Sequence, residues 1–308
     1  MEELRSREIK YPQKSKEWLQ SRKKLITASN VGMICPRSKE ILLAHKPYSK
    51  IEYIEDLNEM CDSFGDLYSF FSKKINKGTP FIGSVATVWG EKFEDIAVDF
   101  YKKISNFPDI QDFSLVIDKE YDFLAASPDG VLIKENKLLE IKAPYSRKII
   151  DGHVPLTYFL QMQIQMKVLE KGSCDYLECS FIEYKSILEF QEFTKDTDFR
   201  GILLVSYYNG SKEFPFLTFY KEAISFQVIN NFLKEHSNKT EIPLNIVFFK
   251  LKTFNLVTVK YCQNLFNNVL LDILKTRNTQ LKEIQLDPKL LKKYEKKLEF
   301  LEDSEEEN

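Results

Sequence analysis

The middle of the chain carries a strand, turn and strand pattern of apolar and polar residues. The apolar run Phe123–Ala126 ends at the bend Pro128–Gly130, and a second apolar run, Val131–Ile133, leads into the polar turn Lys134–Lys137. A return strand from Leu138 to Ala143 follows. Short apolar runs that are bounded by proline, glycine and polar turns are typical of β-strands. The segment is therefore predicted to form a β-hairpin directly after a bend.

Alternation places the charged residues of the return strand on one face. Successive side chains of a strand point to opposite faces, so Glu140 and Lys142 share a face that the isoleucine between them does not. Both are expected to point at Asp129 across the hairpin. Two carboxylates with a cation beside them are the minimum set for Mg²⁺-assisted phosphodiester hydrolysis. The alternative is a surface ion pair, which Glu-x-Lys alone would favour. The Pro-Asp-Gly bend favours the metal site.

An amphipathic helix is predicted upstream of the hairpin, opening at Trp89. Its apolar positions recur at steps of three and four residues: Trp89, Phe93, Ile96, Ala97, Phe100 and Ile104. Glu94 lies at the border of this stripe, whereas Glu91 is expected to project further toward solvent. Glu94 is therefore the better candidate for a carboxylate that reaches a half-buried metal ion. The alternative is one more solvated acid, because charged helix residues are mostly exposed.

A second helix is predicted from Pro155 to Lys171, with Gly172 just beyond it. Apolar residues cover most of its surface, so most of this helix should be buried. Three glutamines interrupt it. Because residues four apart share a helix face, Gln161 and Gln165 act together while Gln163 points elsewhere. Buried amides need hydrogen-bond partners, which are either polar groups of the core or the phosphate and water of an active site.

The rest of the chain is predicted to mix strands and helices, with no internal repeat. We predict a helix around Ser15–Lys24, a partly helical insertion over 35–84 with a break at Gly78-Thr79-Pro80, a strand over Asp175–Tyr184, a hairpin of Ile202–Tyr208 and Phe216–Tyr220 around Asn209-Gly210, a helix from Ala223 to Glu235, and mostly helix from Ile246 to Leu301. The acidic end, 302–308, is predicted to be disordered.

Composition is that of an intracellular globular protein. The 308 residues carry a net charge of −2, with basic residues concentrated in 1–50 and an acidic run at 299–307, so a local basic surface is compatible with an average near neutrality. No apolar run approaches the length of a membrane span, and the charged N terminus lacks the apolar segment of a signal peptide. The five cysteines form no Cys-x-x-Cys pair, which argues against disulfides and a zinc site. We therefore expect no secretion and no membrane.

Several motifs along the chain resemble, in the same order, those of the lambda-exonuclease-like, or YqaJ-type viral recombinase, family of the PD-(D/E)XK nucleases. They are Trp18, Arg22, Thr27-Ala28-Ser29, Trp89 to Glu94, Ser127 to Gly130, Glu140 to Lys142, and Tyr158 with Gln161-Met162-Gln163. Each motif alone is weak evidence for the family, whereas the whole set in this order is strong evidence. The resemblance covers residues 11 to 185. The excess of lysine, isoleucine, asparagine, phenylalanine and tyrosine suggests an AT-rich genome, as in a large DNA virus.

The resemblance implies an α/β fold with a restriction-endonuclease-like core. This core is a central mixed β-sheet flanked by helices, followed by a C-terminal α+β extension. The implied organisation is a catalytic domain over 1–185 with the insertion 35–84, an extension of unknown role over 186–301, and the tail 302–308.

The family's site residues are carried over to matching positions of this sequence. The resemblance implies that Glu94, Asp129, Glu140 and the Ile141 carbonyl would hold one or two Mg²⁺ ions, for which Mn²⁺ would substitute. It assigns Lys142 to the attacking water and the developing charge, and Gln161 to the positioning of the water or phosphate. Three further residues, Arg22, Ser29 and Ser127, would bind a 5′-phosphate.

The implied function is a Mg²⁺-dependent 5′-to-3′ exonuclease on linear double-stranded DNA. It would start at 5′-phosphorylated ends and leave 3′ single-stranded overhangs for recombination, repair or replication. The implied partners are a single-strand annealing protein and further copies of the chain, and a viral protein would act in the host cytoplasm or nucleus. The alternatives are a structure-selective or restriction-like endonuclease, a non-catalytic DNA-binding protein, and a structural or partner-binding protein whose hairpin match is accidental.

Overall fold

A computed structural model of the chain describes residues 2–12, 15–50, 67–77, 84–107, 109–206, 218–222, 225–236 and 244–295. The α-helices are α1 (Glu2–Ser6), α2 (Lys16–Ser21), α3 (Val31–Ile34), α4 (Lys39–His45), α5 (Leu67–Lys74), α6 (Val85–Ser105), α7 (Leu156–Leu169), α8 (Ile187–Phe193), α9 (Phe226–His236), α10 (Gln263–Leu265) and α11 (Leu271–Leu286). The strands are β1 (Glu8–Ile9), β2 (Ile26–Thr27), β3 (Leu115–Ile117), β4 (Leu124–Ala126), β5 (Gly130–Leu132), β6 (Lys137–Lys142), β7 (Ser173–Tyr184), β8 (Arg200–Ser206), β9 (Thr218–Glu222) and β10 (Leu244–Lys260).

The strands form two mixed sheets rather than the single central sheet that was predicted. The smaller has the order β1-β3-β4-β2, and the larger has the order β5-β6-β7-β10-β8-β9. In the first sheet β2 and β4 are parallel, and in the second β6 and β7 are parallel. The chain passes from one sheet to the other at Ser127–Asp129, between β4 and β5. The predicted hairpin is confirmed, because β5 and β6 pair antiparallel with Gly130 opposite Leu139.

The prediction that the chain is mostly helical from Ile246 onward is wrong for its first part. Residues 244–260 form the 17-residue strand β10, which pairs antiparallel with both β7 and β8. The segment is rich in β-branched and aromatic residues, which favour strands, and its two partners lie far away in the chain. Helices begin only at Gln263. Strands from both sides of the predicted domain boundary at 185 therefore share one sheet, and that boundary stays a prediction.

Two long helices cover opposite faces of the larger sheet. The face with Leu138 and Tyr176 joins a core with α7, whereas Leu139, Ile141 and Leu177 pack against α6 on the other face. Alternation along β6 therefore directs Glu140 toward α7. The hairpin β5–β6 lies at the edge of the sheet, directly after Asp129.

The limits of the two long helices differ from the predicted ones. Helix α6 begins at Val85 rather than Trp89, because the hydroxyl of Ser84 accepts the N–H of Thr87 and caps the first turn. Helix α7 begins after Pro155, as predicted, but ends at Glu170, whose backbone is left-handed with a φ of 54°. Within the described ranges, every helix is too short or too polar to cross a membrane.

The C-terminal helices return to the first half of the chain. The Phe71 ring on α5 lies 4.7 Å from the Tyr294 ring, centroid to centroid, and Tyr294 ends the last 3-10 helix (Pro288–Tyr294). On α11, Arg277 donates a hydrogen bond of 3.2 Å to the carbonyl of Ile34. Four predictions lie outside the described residues: the break at 78–80, the turn at 209–210, the helix start at Ala223 and the disordered tail.

Candidate active site

Asp129 lies at the bend where the chain changes sheets. Its Oδ2 accepts the backbone N–H of Ile141 at 2.7 Å, which ties the bend to β6. The neighbouring residues explain why the chain turns here. Pro128 has no N–H to place in a ladder, and a Cβ added at Gly130 would lie 2.5 Å from the side chain of Ile110. The sequence Pro-Asp-Gly therefore fixes the carboxylate of Asp129 beside the return strand.

Glu140 is a fully buried carboxylate with three side-chain donors. Its Oε1 accepts the amide of Gln161 at 2.6 Å and forms an ion pair with Lys142, and its Oε2 accepts the amide of Gln165 at 2.6 Å. Its exposed fraction is 0%. A charge in such a place is stable only when it is paired and hydrogen-bonded, and both conditions are met. The surface ion pair that Glu-x-Lys alone would favour is excluded.

Lys142 is the cation of this cluster. Its ammonium group contacts Glu140, donates to the carbonyl oxygen of Ile141 at 3.0 Å and lies 5.0 Å from the ring centroid of Tyr158. Burial by itself lowers the pKa of Lys142, but the charges of Glu140 and Asp129 outweigh it, and the net result is a raised pKa. The side chain therefore carries its full charge at neutral pH.

Asp129 is surrounded by negative charge. Burial, followed by the charge of Glu140, holds the pKa of Asp129 well above its usual range. Lys142 opposes this rise, while the charge of Glu94 on α6 adds to it. The predicted residues Glu94, Asp129 and Glu140 are thus close enough to interact electrically, although they come from a helix, a bend and a strand. A cation placed among them would relieve their repulsion.

Two clefts open on either side of this cluster, and Glu94 lines both. One, of about 480 Å³, is acidic and includes Asp95, Asp99 and Asp112. The other, of about 470 Å³, is lined by the residues that follow Glu140, among them Lys142, Tyr145, Arg147 and Tyr158. The lining of the first cleft is therefore strongly acidic. The second, called the basic cleft below because it contains Lys142 and Arg147, also contains Glu91 and Glu94, so that its charges balance.

Arg147 and Glu178 add a second ion pair beside the cluster, which the sequence did not suggest. Glu178 is 2% exposed on β7, where it is the register partner of Lys142. It pairs with Arg147, whose guanidinium also lies 5.2 Å from the ring centroid of Tyr158. Burial raises the pKa of Glu178, and Arg147 opposes the rise. Arg147 is thereby held at the rim of the basic cleft.

The glutamines of α7 are arranged as the helical period predicts. Gln161 and Gln165 both contact Glu140, whereas Gln163 points to the opposite side. There its amide donates to the carbonyl of Lys260 at 2.9 Å, and its carbonyl accepts the N–H of Cys262 at 2.8 Å. Gln163 therefore anchors the end of β10 to the core.

A second polar cluster forms around Arg22. Its guanidinium donates to the hydroxyls of Thr27 at 3.1 Å and Ser29 at 2.9 Å, and it lies 4.3 Å from the ring centroid of Trp18. Burial lowers the pKa of Arg22 to about 10, so it remains charged at neutral pH. The structure thus brings Arg22 together with both hydroxyl groups of the Thr27-Ala28-Ser29 segment, which are suited to contact a terminal phosphate.

Ser127 directly follows β4, the parallel neighbour of the strand that precedes Ser29. Strands β2 and β4 are parallel with Thr27 opposite Ala125, so Ser29 and Ser127 each lie two residues beyond a paired position. The hydroxyl of Ser127 is buried and has no hydrogen-bond partner among the described residues. A buried polar group without a partner is costly, and it marks a place where a ligand atom would be accepted.

Comparison with known proteins assigns the chain to a family. Residues 17–172, about half of the chain, match the family described as the YqaJ-like viral recombinase domain. The chain belongs to this family. The matched range contains every predicted site residue, from Arg22 to Gln161. The sequence resemblance is therefore confirmed at the level of the family.

Individual relatives of this YqaJ family member are distant. It is 30% identical over 204 residues to "Uncharacterized protein R354" of Acanthamoeba polyphaga mimivirus, covering 61% of this chain and 32% of that protein. The chain thus spans about a third of the length of this relative. Crystal structures with a similar course of the chain include the alkaline exonuclease of Laribacter hongkongensis, with 13% identity, a TM-score of 0.45 and coverage of 91% of this chain and 97% of that one. A phage-related exonuclease from Haemophilus somnus 129PT has 14% identity, a TM-score of 0.41 and coverage of 88% and 96%.

Proposed function

We propose that this chain is a Mg²⁺-dependent exonuclease that digests linear double-stranded DNA from 5′ to 3′. The observation that carries the proposal is the cluster of Asp129, Glu140 and Lys142, in which Glu140 is fully buried and Asp129 interacts with two other carboxylates. Membership of the YqaJ-like viral recombinase domain family supports the assignment. The expected product is a 3′ single-stranded overhang, which recombination or repair through a single-strand annealing partner would use.

The residues of the cluster fit a hard divalent cation. No group of three acidic, histidine or cysteine side chains in the described part of the chain converges as a finished metal site. The donor chemistry is nevertheless that of Mg²⁺, because Asp129, Glu140 and Glu94 offer carboxylate oxygens and Ile141 offers a carbonyl. Burial and the charge of Glu140 raise the pKa of Asp129 in spite of Lys142, so a cation bound beside Asp129 would favour its ionised form. These four residues would hold one or two ions, with Mn²⁺ as a substitute.

The protein side chains around these ligands have distinct parts in the proposed mechanism. When bound, Mg²⁺ supplies charge that activates water and stabilises the departing 3′-oxygen. Lys142 holds the attacking water and neutralises charge that develops on the phosphate. Gln161, fixed by its bond to Glu140, positions the water or the phosphate. Gln165 holds the other oxygen of Glu140 in place.

The electrostatics of the two clefts favour one path for DNA. Phosphates are repelled by the net negative lining of the acidic cleft, whereas in the other cleft Lys142 and Arg147 offset the carboxylates of Glu91 and Glu94. Tyr145 is 54% exposed and lies against the edge of Trp89, with ring centroids 5.3 Å apart, so it offers a base a surface for stacking. We infer that the cleaved strand lies in the basic cleft.

We infer that the cluster of Arg22, Ser29 and Ser127 binds the 5′-phosphate. A terminal phosphate carries more charge than an internal diester, and an arginine with hydroxyl donors forms charge-assisted hydrogen bonds to it. Arg22 is already held by Ser29 and stacked on Trp18, so its orientation requires little further ordering. The unpartnered hydroxyl of Ser127 supplies a donor that the folded chain itself leaves unused.

Substitution of Arg22 tests this end recognition. Hydrogen bonds to charged groups are each worth about 1.5 to 3 kcal/mol, so Arg22→Ala should slow digestion of 5′-phosphorylated ends by roughly 10- to 100-fold at limiting DNA. On 5′-hydroxyl ends the parent should already be slow, and the variant should lose little more. Equal rates of the parent on both kinds of end would rule out the phosphate pocket.

The glutamines of α7 provide a matched series for the metal cluster. Gln161→Ala should reduce cleavage by about 10- to 100-fold, as is usual for residues that orient metal ligands, and Gln165→Ala should have an intermediate effect. Gln163→Ala removes an amide from the same helix, but one that contacts Lys260 and Cys262 instead. It should change stability and leave the cleavage rate of the folded fraction close to that of the parent. A larger rate defect at Gln163 would contradict the assignment.

The distinction from an endonuclease can be tested directly. An enzyme that requires a 5′ end should degrade linear duplex in the presence of Mg²⁺ and leave covalently closed circles intact. A structure-selective or restriction-like endonuclease would use the same metal cluster and cut the circles. Incubation of both substrates with and without Mg²⁺, followed by gel electrophoresis, separates the two functions. Absence of any Mg²⁺-dependent degradation would favour a non-catalytic DNA-binding protein.

A further inference from the structure

Lys74, the last residue of α5, is a lysine whose side chain is almost completely removed from solvent. Its exposed fraction is 8%, and lysine is rarely buried without a partner. Its ammonium group donates to the carbonyl oxygens of Arg22 at 2.7 Å and Leu25 at 2.6 Å. These acceptors are backbone groups rather than carboxylates. The positive charge of Lys74 is therefore not neutralised by an acidic partner in the described part of the chain.

The two carbonyl groups belong to the turn that carries Arg22. Residues Arg22–Lys24 form a single 3-10 turn between α2 and β2, and the N–H of Leu25 bonds back to the carbonyl of Arg22 at 3.3 Å. Lys74 thus holds the first residue of the turn and the residue that closes it. Carbonyls at the end of a helical segment carry partial negative charge, which a lysine stabilises.

A second element holds the same turn from another side. The amide of Gln285 on α11 donates to the carbonyl of Lys23 at 3.2 Å. Since α5 and the C-terminal segment also contact each other through Phe71 and Tyr294, the turn is supported by elements that are distant in sequence. Among these supports, Lys74 is the one that brings a charge beneath Arg22.

We propose that Lys74 is a positioning residue of the terminal-phosphate site. Its ammonium group fixes the turn Arg22–Leu25 and thereby the direction of the Arg22 guanidinium toward Ser29. Its charge adds to that of Arg22 when a phosphate dianion is bound. The proposal rests on the proposed recognition of 5′-phosphate ends and extends it to a residue that does not itself contact the ligand.

The electrostatic surroundings of Lys74 support this role. Burial, followed by the charge of Arg22, lowers the pKa of Lys74 to about 7. Of the elements that pack against α5, α3 has no titratable side chain, and α11 carries Arg277 and Glu283. The 3-10 helix Pro288–Tyr294 carries Lys289, Lys292 and Lys293, and the turn itself carries Lys23 and Lys24. The charge that acts on Lys74 is that of Arg22. An anion bound at Arg22 offsets the repulsion between the two cations. Binding of the anion therefore raises the pKa of Lys74, and above pH 7 the complex takes up a proton on Lys74.

This linkage has a definite sign. Below pH 7 Lys74 is charged in the free protein, so phosphate binding requires no proton. Above pH 7 the free protein has lost the proton that the complex retains, and affinity for a 5′-phosphate should fall as the pH rises. The second ionisation of the phosphate, with a pKa of about 6, gives the opposite trend and is complete by then. A fall in the affinity for a 5′-phosphate between pH 7 and 9 is therefore attributed to Lys74.

The test compares two neighbouring lysines. Lys74→Met removes the buried ammonium group, and Lys73→Met removes the same charge from the exposed side of α5. Binding of a short duplex with a 5′-phosphate or a 5′-hydroxyl is measured without metal from pH 6 to 9. The Lys74→Met variant should lose about tenfold of the preference for phosphate, because the misplaced Arg22 would lose about one charge-assisted hydrogen bond to it. The fall of affinity between pH 7 and 9 should disappear as well. Lys73→Met should retain both.

Each outcome has one meaning. If the parent prefers the phosphate and Lys74→Met keeps the same preference and the same pH profile, the role of Lys74 is overturned and the phosphate pocket is not. A parent without any preference would overturn both this role and the phosphate pocket. If Lys74→Met fails to fold, the pH profile of the parent decides, because a flat profile between pH 7 and 9 contradicts the proposal. The Lys74→Arg variant, which stays charged, should bind the 5′-phosphate with an affinity that does not fall between pH 7 and 9.

Discussion

Replacing Asp129 with Asn is expected to lower the rate of Mg²⁺-dependent cleavage by about a thousandfold or more. Charge stabilisation by a bound metal is worth several kcal/mol, and about 1.4 kcal/mol corresponds to a factor of ten. The asparagine oxygen can still accept the N–H of Ile141, so the bend between the two sheets should be preserved. Initial rates on linear duplex, measured with enzyme in limiting amount, give the change. Cleavage within tenfold of the parent would exclude Asp129 as a metal ligand.

The stability of the same variant provides its control. A carboxyl whose pKa is raised in the folded state destabilises the fold at a pH above its unfolded value of about 3.9. This penalty begins to shrink as the pH falls below the folded pKa and is gone at the unfolded one. In metal-free buffer at pH 7, Asp129→Asn should therefore melt at the same temperature as the parent or higher. Added Mg²⁺ should raise the melting temperature of the parent and leave that of the variant unchanged. A lower melting temperature of the variant would contradict the electrostatics described above.

Replacing Lys142 with Met should give the second largest loss, about 100- to 1000-fold in turnover. This is the range for removing one group that stabilises charge in a transition state. Lys142 lies between Glu140 and the carbonyl of Ile141 and retains its charge, because the two carboxylates raise its pKa. Single-turnover rates and DNA binding are measured separately. The rate should fall, whereas the affinity for DNA should change by less than about threefold.

Lys148→Met is the matched control for this variant. Lys148 is exposed and lies six residues further along the chain, so its removal subtracts the same charge from the same region. Because salt screens exposed charges, this variant should change DNA binding only slightly and leave the single-turnover rate unchanged. If both variants lose the same amount of activity, Lys142 acts only through the general field of the basic cleft.

Local periodicity was sufficient to predict the arrangement of Glu140, Lys142 and the glutamines of α7. Alternation along β6 placed Glu140 and Lys142 on one face, and the structure confirms this with their ion pair. The helical period of α7 separated Gln161 and Gln165 from Gln163, which the hydrogen bonds also confirm. Both inferences depend only on neighbours within one turn or one hairpin, and such neighbours are fixed by backbone geometry.

The large-scale arrangement could not be predicted in this way. Strand β10 contains lysine and asparagine among its apolar residues, and its strand character depends on pairing with β7 and β8. The division into two sheets follows from the bend at Ser127–Asp129, which the sequence alone indicates only as a bend before the hairpin. In both cases the deciding contacts are distant in sequence, and such contacts override local preference.

Residues that support the site were the hardest to identify. Arg147 and Glu178 meet only because β6 and β7 are parallel with Lys142 opposite Glu178. Lys74 reaches Arg22 across 52 positions, from a helix in a segment that the sequence marked only as a polar insertion. A lysine at the end of a short amphipathic helix is usually solvated, so its sequence carried no sign of burial.

The most direct test of the proposed function uses a linear duplex with a 5′-phosphate on one end and a 5′-hydroxyl on the other. Each strand carries a different label, and release of mononucleotides is followed over time with and without Mg²⁺. We expect Mg²⁺-dependent release from the phosphorylated strand, beginning at its 5′ end, with the complementary strand left intact as a single strand. Release from 3′ ends, or equal digestion of both strands from the start, would contradict the proposed exonuclease.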